Sequence, residues 1–270
     1  MFLPHHYSFL QAPEGWQTVD LISDLHLCEE TPRGVEALIR HLHDTPAEAV
    51  LLLGDIFEVW IGDDVLADPQ HPESQLIAAL AEASRGRWVA FMPGNRDFLL
   101  GQRALQKLGW HELADPCVLH AFGQHLVLSH GDALCTADAD YQRFRQMVRS
   151  QAWQANFLAR PLEHRRALAR EMRQASMQRY REQPALVIPG DDGVDLDAAS
   201  ALLQQQHATD LIHGHTHRPI SHEMSREGGP HLRRHVLSDW ALDHEPRRID
   251  LIRLNRRPDL PPIQRIVPEL

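Results

Sequence analysis

The sequence predicts an α/β fold, with helices flanking a mixed β-sheet. Three observations predict it. Short, largely apolar runs recur along the 270 residues at Val19–Ser23, Ala49–Leu53, Trp88–Met92, Leu126–Ser129 and Asp210–His213, as buried strands do. Amphipathic helical patterns separate the first three runs, and such alternation builds βαβ units. Further on, strand-like segments at Val118–His120, His231–Leu237 and Arg248–Leu254 have fewer helices between them, so the sheet is expected to be mixed.

Taken in order, Val19–Ser23 is the first strand. In Pro32–Asp44, Val35, Leu38, Ile39 and Leu42 fall at i, i+3, i+4 and i+7, with Pro32 near the start of the helix. Ala49–Leu53 follows as a strand. Pro72–Ser84 sets Leu76, Ile77 and Leu80 on one helical face, and Trp88–Met92 is the next strand. Arg143–Arg181 stands apart. It holds ten arginines, no lysine and two acids, Glu163 and Glu171, interleaved with Phe144, Met147, Trp153, Phe157 and Leu158. It reads as two or three helices inserted between the strand ending at Ser129 and a helix over Asp195–His207, with Pro184, Pro189 and Gly190 marking its exit.

Composition excludes several classes. Net charge is −10, which argues against a protein that coats nucleic acid. No apolar run approaches the ~20 residues that span a bilayer, and Met1–Pro13 lacks the basic start and apolar core of a secretory signal. Three cysteines, Cys28, Cys117 and Cys135, form no disulfide framework and suit a reducing compartment. Nothing points to a protein partner. The distinctive number is 19 histidines.

The residues that follow the strands carry the chemistry. Asp24-Leu-His26 follows the first, Gly54-Asp55 the second, and Gly94-Asn95-Arg96-Asp97 the third. His130-Gly131-Asp132 follows Ser129, and His213-Gly214-His215-Thr216-His217 ends the set. In open α/β sheets the site lies at the carboxyl ends of the strands, so these five segments are expected to converge. Carboxylate, amide oxygen and imidazole suit Mn, Fe, Zn or Co. Asp55 is central and able to bridge two ions. Asp24 and His26 share a side if the strand continues through them, because alternate residues share a face. His213, Asp97 and Asp132 are expected to support the cluster rather than to ligate, with Asp97 orienting Asn95 and Asp132 orienting His130.

Together these motifs resemble the calcineurin-like metallophosphoesterase superfamily, over roughly Val19 to Leu254. The resemblance implies a β-sandwich of mixed sheets flanked by helices, with an inserted helical cap. It implies a core of residues 17–136 and 186–270, a cap over 137–185, and an N-terminal extension over 1–16. One ion would be held by Asp24, His26, Asp55 and His217, and a second by Asp55, Asn95, His130 and His215, both expected to be Mn2+ by the same resemblance. Within the superfamily, Trp60-Ile61-Gly62-Asp63-Asp64, Tyr141-Gln142-Arg143-Phe144-Arg145 and Arg96 after Asn95 are similar to the subgroup of lipid A biosynthesis that cleaves UDP-2,3-diacylglucosamine.

That likeness implies water attack on the α-phosphorus, giving UMP and 2,3-diacylglucosamine 1-phosphate. Asp55, Asn95, Arg96 and His215 are the expected catalytic residues. Asn95, Arg96, Asp138, Tyr141, Ser176 and His215 are the expected substrate contacts. Arginine suits phosphate because its fork stays charged and binds two oxygens at once. Ala137, Tyr180, Gln183 and residues 188–191 depart from the subgroup's pattern. The alternative is another calcineurin-like phosphodiesterase or nucleotide pyrophosphatase. The basic, apolar cap reads as a lid whose arginines face anionic head groups and whose apolar side chains hold acyl chains. Such basic amphipathic helices also rest on anionic membrane surfaces, and the resemblance implies a place in the cytoplasm, peripherally on the inner membrane.

Overall fold

The computed structural model describes residues 6–182, 193–224 and 230–268; in its longest helix, side chains are described to residue 174 and at 178. The strands are β1 (His6–Gln11), β2 (Thr18–Ile22), β3 (Ala49–Leu53), β4 (Trp88–Met92), β5 (His111–Ala121), β6 (Gln124–Ser129), β7 (Asp210–His213), β8 (Ser221–Glu223), β9 (Arg233–Val236), β10 (Leu251–Asn255) and β11 (Ile263–Ile266). They form one sheet in the order β11-β10-β2-β3-β4-β5-β6-β7-β9-β8, with β1 added to β5. β2, β3 and β4 pair in parallel, as do β6, β7 and β9, while β5 and β6 form an antiparallel hairpin.

Strand β5 joins the two halves. Its first residues pair with β4 and its last with β6. The sheet curls there, and the inner faces meet: Leu21, Leu51, Leu53 and Met92 pack in one cluster with Leu126, Leu128, Ile212 and Leu237. The outer face of the first half is covered by α1 (Pro32–Asp44), α2 (Pro72–Ala83) and α3 (Gln102–Leu108), whose Leu38, Leu42, Ile77, Leu80 and Leu105 pack on Val50, Leu52 and Phe91. Helix α7 (Leu196–Gln205) covers the second half through Ala199 and Leu203 on Val127 and Leu211. Strand β3 is apolar throughout because both its faces are buried: Leu51 and Leu53 point inward, Val50 and Leu52 toward the helices. Truncating one of these leucines to alanine costs about 2–5 kcal/mol.

The N-terminal segment is built into this body. β1 pairs in parallel with β5, and Leu10, Ala12 and Trp16 join the inner cluster. One polar pin crosses the apolar layers. Asp20 on β2, fully buried, accepts from Arg253 at 2.6 and 2.8 Å and from Thr45 at 2.5 Å, with His41 at 3.1 Å. These bonds satisfy a buried carboxylate that would otherwise be costly.

After β6 the chain leaves the sheet and forms α4 (Ala139–Arg149), α5 (Gln151–Leu158) and α6 (Leu162–Glu182). Asp138 caps α4 by accepting from the Tyr141 amide at 2.9 Å, and Ser150 caps α5 through the Trp153 amide. Four arginines of these helices are engaged within the protein. Arg145 reaches Asp132 at 2.8 Å, and Arg149 donates to the Gly94 carbonyl at 2.9 Å. Arg165, 1% exposed, forks onto Asp64 and also donates to the Ile61 carbonyl. Arg173 pairs with Glu58. The reason is electrostatic: the rest of the chain is strongly acidic, and a guanidinium brought against it finds carboxylates and carbonyls to bond.

Candidate metal centre

The five expected segments leave the carboxyl ends of β2, β3, β4, β6 and β7 and meet. Asp24 Oδ1 lies 3.2 Å from His217 Nε2, and His217 Nε2 lies 3.4 Å from His26 Nε2. His130 Nε2 is 3.7 Å from Asp55 Oδ1. The Asn95 amide oxygen stands 2.9 Å from His130 Nε2 and 2.9 Å from His215 Nδ1. Among the described residues, two groups offer ligand atoms within 4.8 Å of one another: Asp24, His26 and His217, and Asp24, Asp55 and His130. Asp24 belongs to both. The carboxylate of Asp55 belongs to the second group, and its Oδ1 also accepts from the Arg96 amide at 2.8 Å.

The backbone that presents these groups is not strand. Asp24, His26, Asp55, His215 and His217 all have positive φ, between 49° and 68°. A non-glycine residue there is uncommon, and strain of about 1–3 kcal/mol at each such position persists only where the surroundings enforce it. Asp24 and His26 therefore reach one site through consecutive left-handed turns and not through strand alternation. Their amides bond the Gly54 and Asp55 carbonyls at 3.0 Å each, which ties the two strand ends together. Glycine is required between them. A Cβ on Gly54, at φ 87°, would lie 2.5 Å from His130 Nδ1 and 2.7 Å from the Gly94 Cα.

Charge explains why the cluster wants cations. Asp24, Asp55 and Asp132 are all buried. Burial alone would raise Asp24, but His217, His130 and His26 hold it well below the usual carboxylate range. Burial would lower His130, yet Asp55, Asp24 and Asp132 push it up to about 9. Burial and the neighbouring His130 push His215 down to about 4, which leaves it neutral. Asp24 Oδ1 is shut off from solvent without a hydrogen-bond partner. An unpartnered buried carboxylate oxygen facing imidazole nitrogens is the donor set of a borderline divalent ion, and the residues present fit two such ions.

The supporting shell differs in part from expectation. Asp97 does not bond Asn95. Its carboxylate accepts from the amides of Gly94 (2.8 Å), Asp55 (3.3 Å), Ile56 (2.7 Å) and Phe57 (3.2 Å), so it clamps the loops that carry Asn95 and Asp55. Burial and Asp55 push its carboxyl up to about 6. Asp132 does not orient His130, whose Nδ1 meets the Leu53 carbonyl at 3.0 Å. Asp132 instead accepts from the Tyr141 hydroxyl at 2.9 Å and from Arg145, because the cap brings stronger donors to it. His213 is fully buried against Arg234 at 3.2 Å and the Gly214 carbonyl, away from the ligand groups.

Two carboxylates were given no role in the sequence reading. Glu58 Oε2 lies 3.4 Å from His26 Nδ1, and Asp239 Oδ2 lies 3.6 Å from His217 Nδ1. Each can hold the far nitrogen of an imidazole so that Nε2 faces the cluster. Asp239 is itself gripped by Arg248 at 2.7 and 2.5 Å. The one sequence signal was Glu58, three residues after Asp55; Asp239 lies on a loop whose return to the site no local pattern announces.

Arg96 sits at the rim, a third exposed, with its Nη1 3.9 Å from Glu58 and its buried Nε without a hydrogen-bond partner. The Tyr141 ring stacks on His215 at 6.0 Å between centroids. Asp138 is the cap of α4 described above. Ser176 lies on α6, but its side chain falls outside the described residues, as does that of Tyr180; Gln183 and residues 188–191 lie outside them altogether.

A curled mixed sheet with donors at its strand ends is the frame of a phosphoester hydrolase, and the chain belongs to the calcineurin-like phosphoesterase family, whose profile matches residues 18–219. More narrowly, it is 43% identical over 223 residues to the UDP-2,3-diacylglucosamine hydrolase of Aeromonas hydrophila, covering 81% of this chain and 89% of that protein. It is 44% identical over 247 residues to the UDP-2,3-diacylglucosamine hydrolase of Ralstonia nicotianae, covering 87% and 88%, and 38% identical over 246 residues to that of Stenotrophomonas maltophilia, covering 86% and 95%.

Proposed function

We propose that the chain hydrolyses the pyrophosphate of UDP-2,3-diacylglucosamine at the α-phosphorus, giving UMP and 2,3-diacylglucosamine 1-phosphate. The observation that carries the reading is the meeting of seven donor side chains at five strand ends in a chain whose relatives are named for that substrate. Asp24, His26, Asp55 and His217 would hold one divalent ion, and Asp55, Asn95, His130 and His215 the other. Two such ions supply an activated water at neutral pH and neutralise charge on the phosphoryl oxygens. Mn2+ suits the mixed oxygen and imidazole donors.

The chain's own residues do the rest. Arg96 offers an unpaired Nε–H to the phosphate and stays charged throughout. The Asn95 oxygen lies 2.9 Å from His130 Nε2 and from His215 Nδ1, which gathers three of the donors that would hold the second ion. Neutral His215, covered by Tyr141, faces the substrate without adding positive charge beside His130. Asp138 and Tyr141 meet the substrate from the cap, and Ser176 is the further contact that the family resemblance implies. Residues 137–185 act as the cap, 17–136 and 186–270 as the catalytic core, and 1–16 as an added segment. Phe144, Met147 and Leu158 are exposed on the cap, which supports contact with acyl chains and peripheral residence on the cytoplasmic face of the inner membrane. Among the described residues no helix is long and apolar enough to cross a membrane.

The test is purified, Mn-supplied protein on UDP-2,3-diacylglucosamine in oxygen-18 water. Label in UMP is the expected result. Label in the sugar phosphate overturns the site of attack, and turnover of small phosphodiesters alone overturns the substrate.

A further inference from the structure

Strand β5 changes partner midway. His111 and Glu112 pair with β4, and Cys117 to Ala121 pair with β6. The second register, continued past Cys117, sets Pro116 opposite Ser129 and Asp115 opposite His130. Proline has no N–H, so the backbone ladder stops there. The Asp115 carboxylate takes its place. Its Oδ1 accepts from the Ser129 hydroxyl at 2.7 Å and from the His130 amide at 3.3 Å. Ser129 Oγ accepts in turn from the Gly131 amide at 3.1 Å. One carboxylate oxygen thereby holds the turn that carries His130.

We propose that Asp115 is a positioning residue for the second ion, acting through the main chain of His130; the inference rests on the two-ion reading of the centre. The His130 ring is pinned at Nδ1 by the Leu53 carbonyl at 3.0 Å, and its Nε2 faces the Asn95 oxygen at 2.9 Å. A shift of the His130 main chain is therefore passed to Nε2. The Asp115 side chain is 6% exposed, and its Oδ2 is shut off from solvent without a hydrogen-bond partner. A carboxylate buried in that state is costly unless a counter-charge stands beside it. Arg145 supplies it from α4, with Nη2 3.6 Å from Asp115 Oδ2 and Nε 2.8 Å from Asp132 Oδ2. The same guanidinium faces both carboxylates that flank His130, so it keeps Asp115 Oδ1 turned to Ser129 and His130.

The experiment titrates Mn2+ into the whole chain without substrate, for the wild type, Asp115→Ala and Asp115→Asn, and follows it by calorimetry and electron paramagnetic resonance. The wild type is expected to take up two ions with the spectrum of a coupled pair. Asp115→Ala should keep one ion and bind the second about 10–100-fold more weakly, as when other supporting groups around metals are lost, with the spectrum of a single ion at low Mn2+. Asp115→Asn keeps the accepting oxygen and loses only the charge, so it should restore the pair. Two ions bound equally tightly by Asp115→Ala overturn the proposal, and equal losses in both variants overturn it in favour of a pure charge effect. A wild type that takes up fewer than two ions overturns the two-ion reading and this inference together. If Asp115→Ala fails to fold, Ser129→Ala decides: it should weaken the second ion alone, and unchanged binding overturns the proposal.

Discussion

Replacing Asp97 by asparagine isolates the clamp beneath the metal centre. The carboxylate is fully buried and accepts four amides, two on each oxygen. An amide group has one oxygen. Whichever way it turns, its NH2 faces two backbone N–H donors and two bonds are lost. Bonds to a charged acceptor are worth about 1.5–3 kcal/mol each, so the gross loss is about 3–6 kcal/mol. Against it stands the cost of keeping Asp97 ionised beside Asp55. That cost has raised its carboxyl from 3.8 to about 6, which is worth about 3 kcal/mol at neutral pH. The two effects leave a net destabilisation of about 0–3 kcal/mol, read by denaturant unfolding of metal-free protein. Because two of the four amides belong to Asp55 and Gly94, next to Asn95, Mn2+ affinity should fall as well, by about 10–100-fold as for other supporting groups around metals. A variant with wild-type stability and wild-type Mn2+ affinity would refute the clamp.

Arg96→Ala should lower kcat with metal content unchanged, by the ~2–4 kcal/mol typical of an anion-stabilising donor; steady-state kinetics with metal analysis check it, and an unchanged kcat contradicts the role. Glu58→Gln should weaken Mn2+ binding about tenfold or more by loosening His26, read by titration; equal affinity removes Glu58 from the site. Arg165→Ala should raise KM for the diacylated substrate more than for a small phosphodiester, because it frees the cap from Asp64 and Ile61; equal changes for both substrates argue against this. Burial would raise Asp210, but His235, Arg233 and Thr209 lower it from 3.8 to about 2. The stability it contributes is thus present above pH ~4 and lost as the pH falls through ~2. Asp210→Asn should cost about 1–2 kcal/mol at neutral pH, allowing for solvent screening, and flatten acid unfolding in that window; an unchanged acid profile refutes it.

The strands and helices that carry the site were legible because burial wrote them in the sequence. Ala49–Leu53, Trp88–Met92 and Pro32–Asp44 appear with the bounds their apolar patterns gave. Strands β1, β8 and β11 were not legible. Each pairs along a sheet edge and presents polar residues, so no alternation marks it. Helix α3 is only seven residues long, too short for its periodicity to stand out. At the site, ligand types at strand ends were readable one motif at a time, since each lies beside its own strand. The left-handed turns that aim Asp24, His26, Asp55, His215 and His217 were not, because their strain is imposed by neighbours distant in sequence. Asp97 was read as a supporter, but its true partners are backbone amides, which no side-chain pattern can announce.

The cap's arginines show how part of a local charge pattern can be taken up by partners within the protein. A segment with ten arginines invites an anionic ligand. Yet Arg145, Arg149, Arg165 and Arg173 are spent on Asp132, the Gly94 carbonyl, Asp64 and Glu58. Three of those acceptors lie beside the centre: Gly94 precedes Asn95, Asp132 follows His130, and Glu58 backs His26. The positive charge therefore fastens the cap to the catalytic loops, and a displacement of α4 or α6 pulls on groups in contact with the ligands. Recognition on the cap falls instead to what remains unpaired there. That includes exposed Phe144, Met147 and Leu158, and the stacked Trp153 and Phe157 beside a cleft of about 170 Å3 lined also by Leu168 and Met172. Such a surface offers contact to apolar chains, with Asn156 and Arg160 also lining the cleft. If the proposed function holds, the division is chemical: the cap would select for acyl groups while Arg96 and the metal cluster would select for the pyrophosphate.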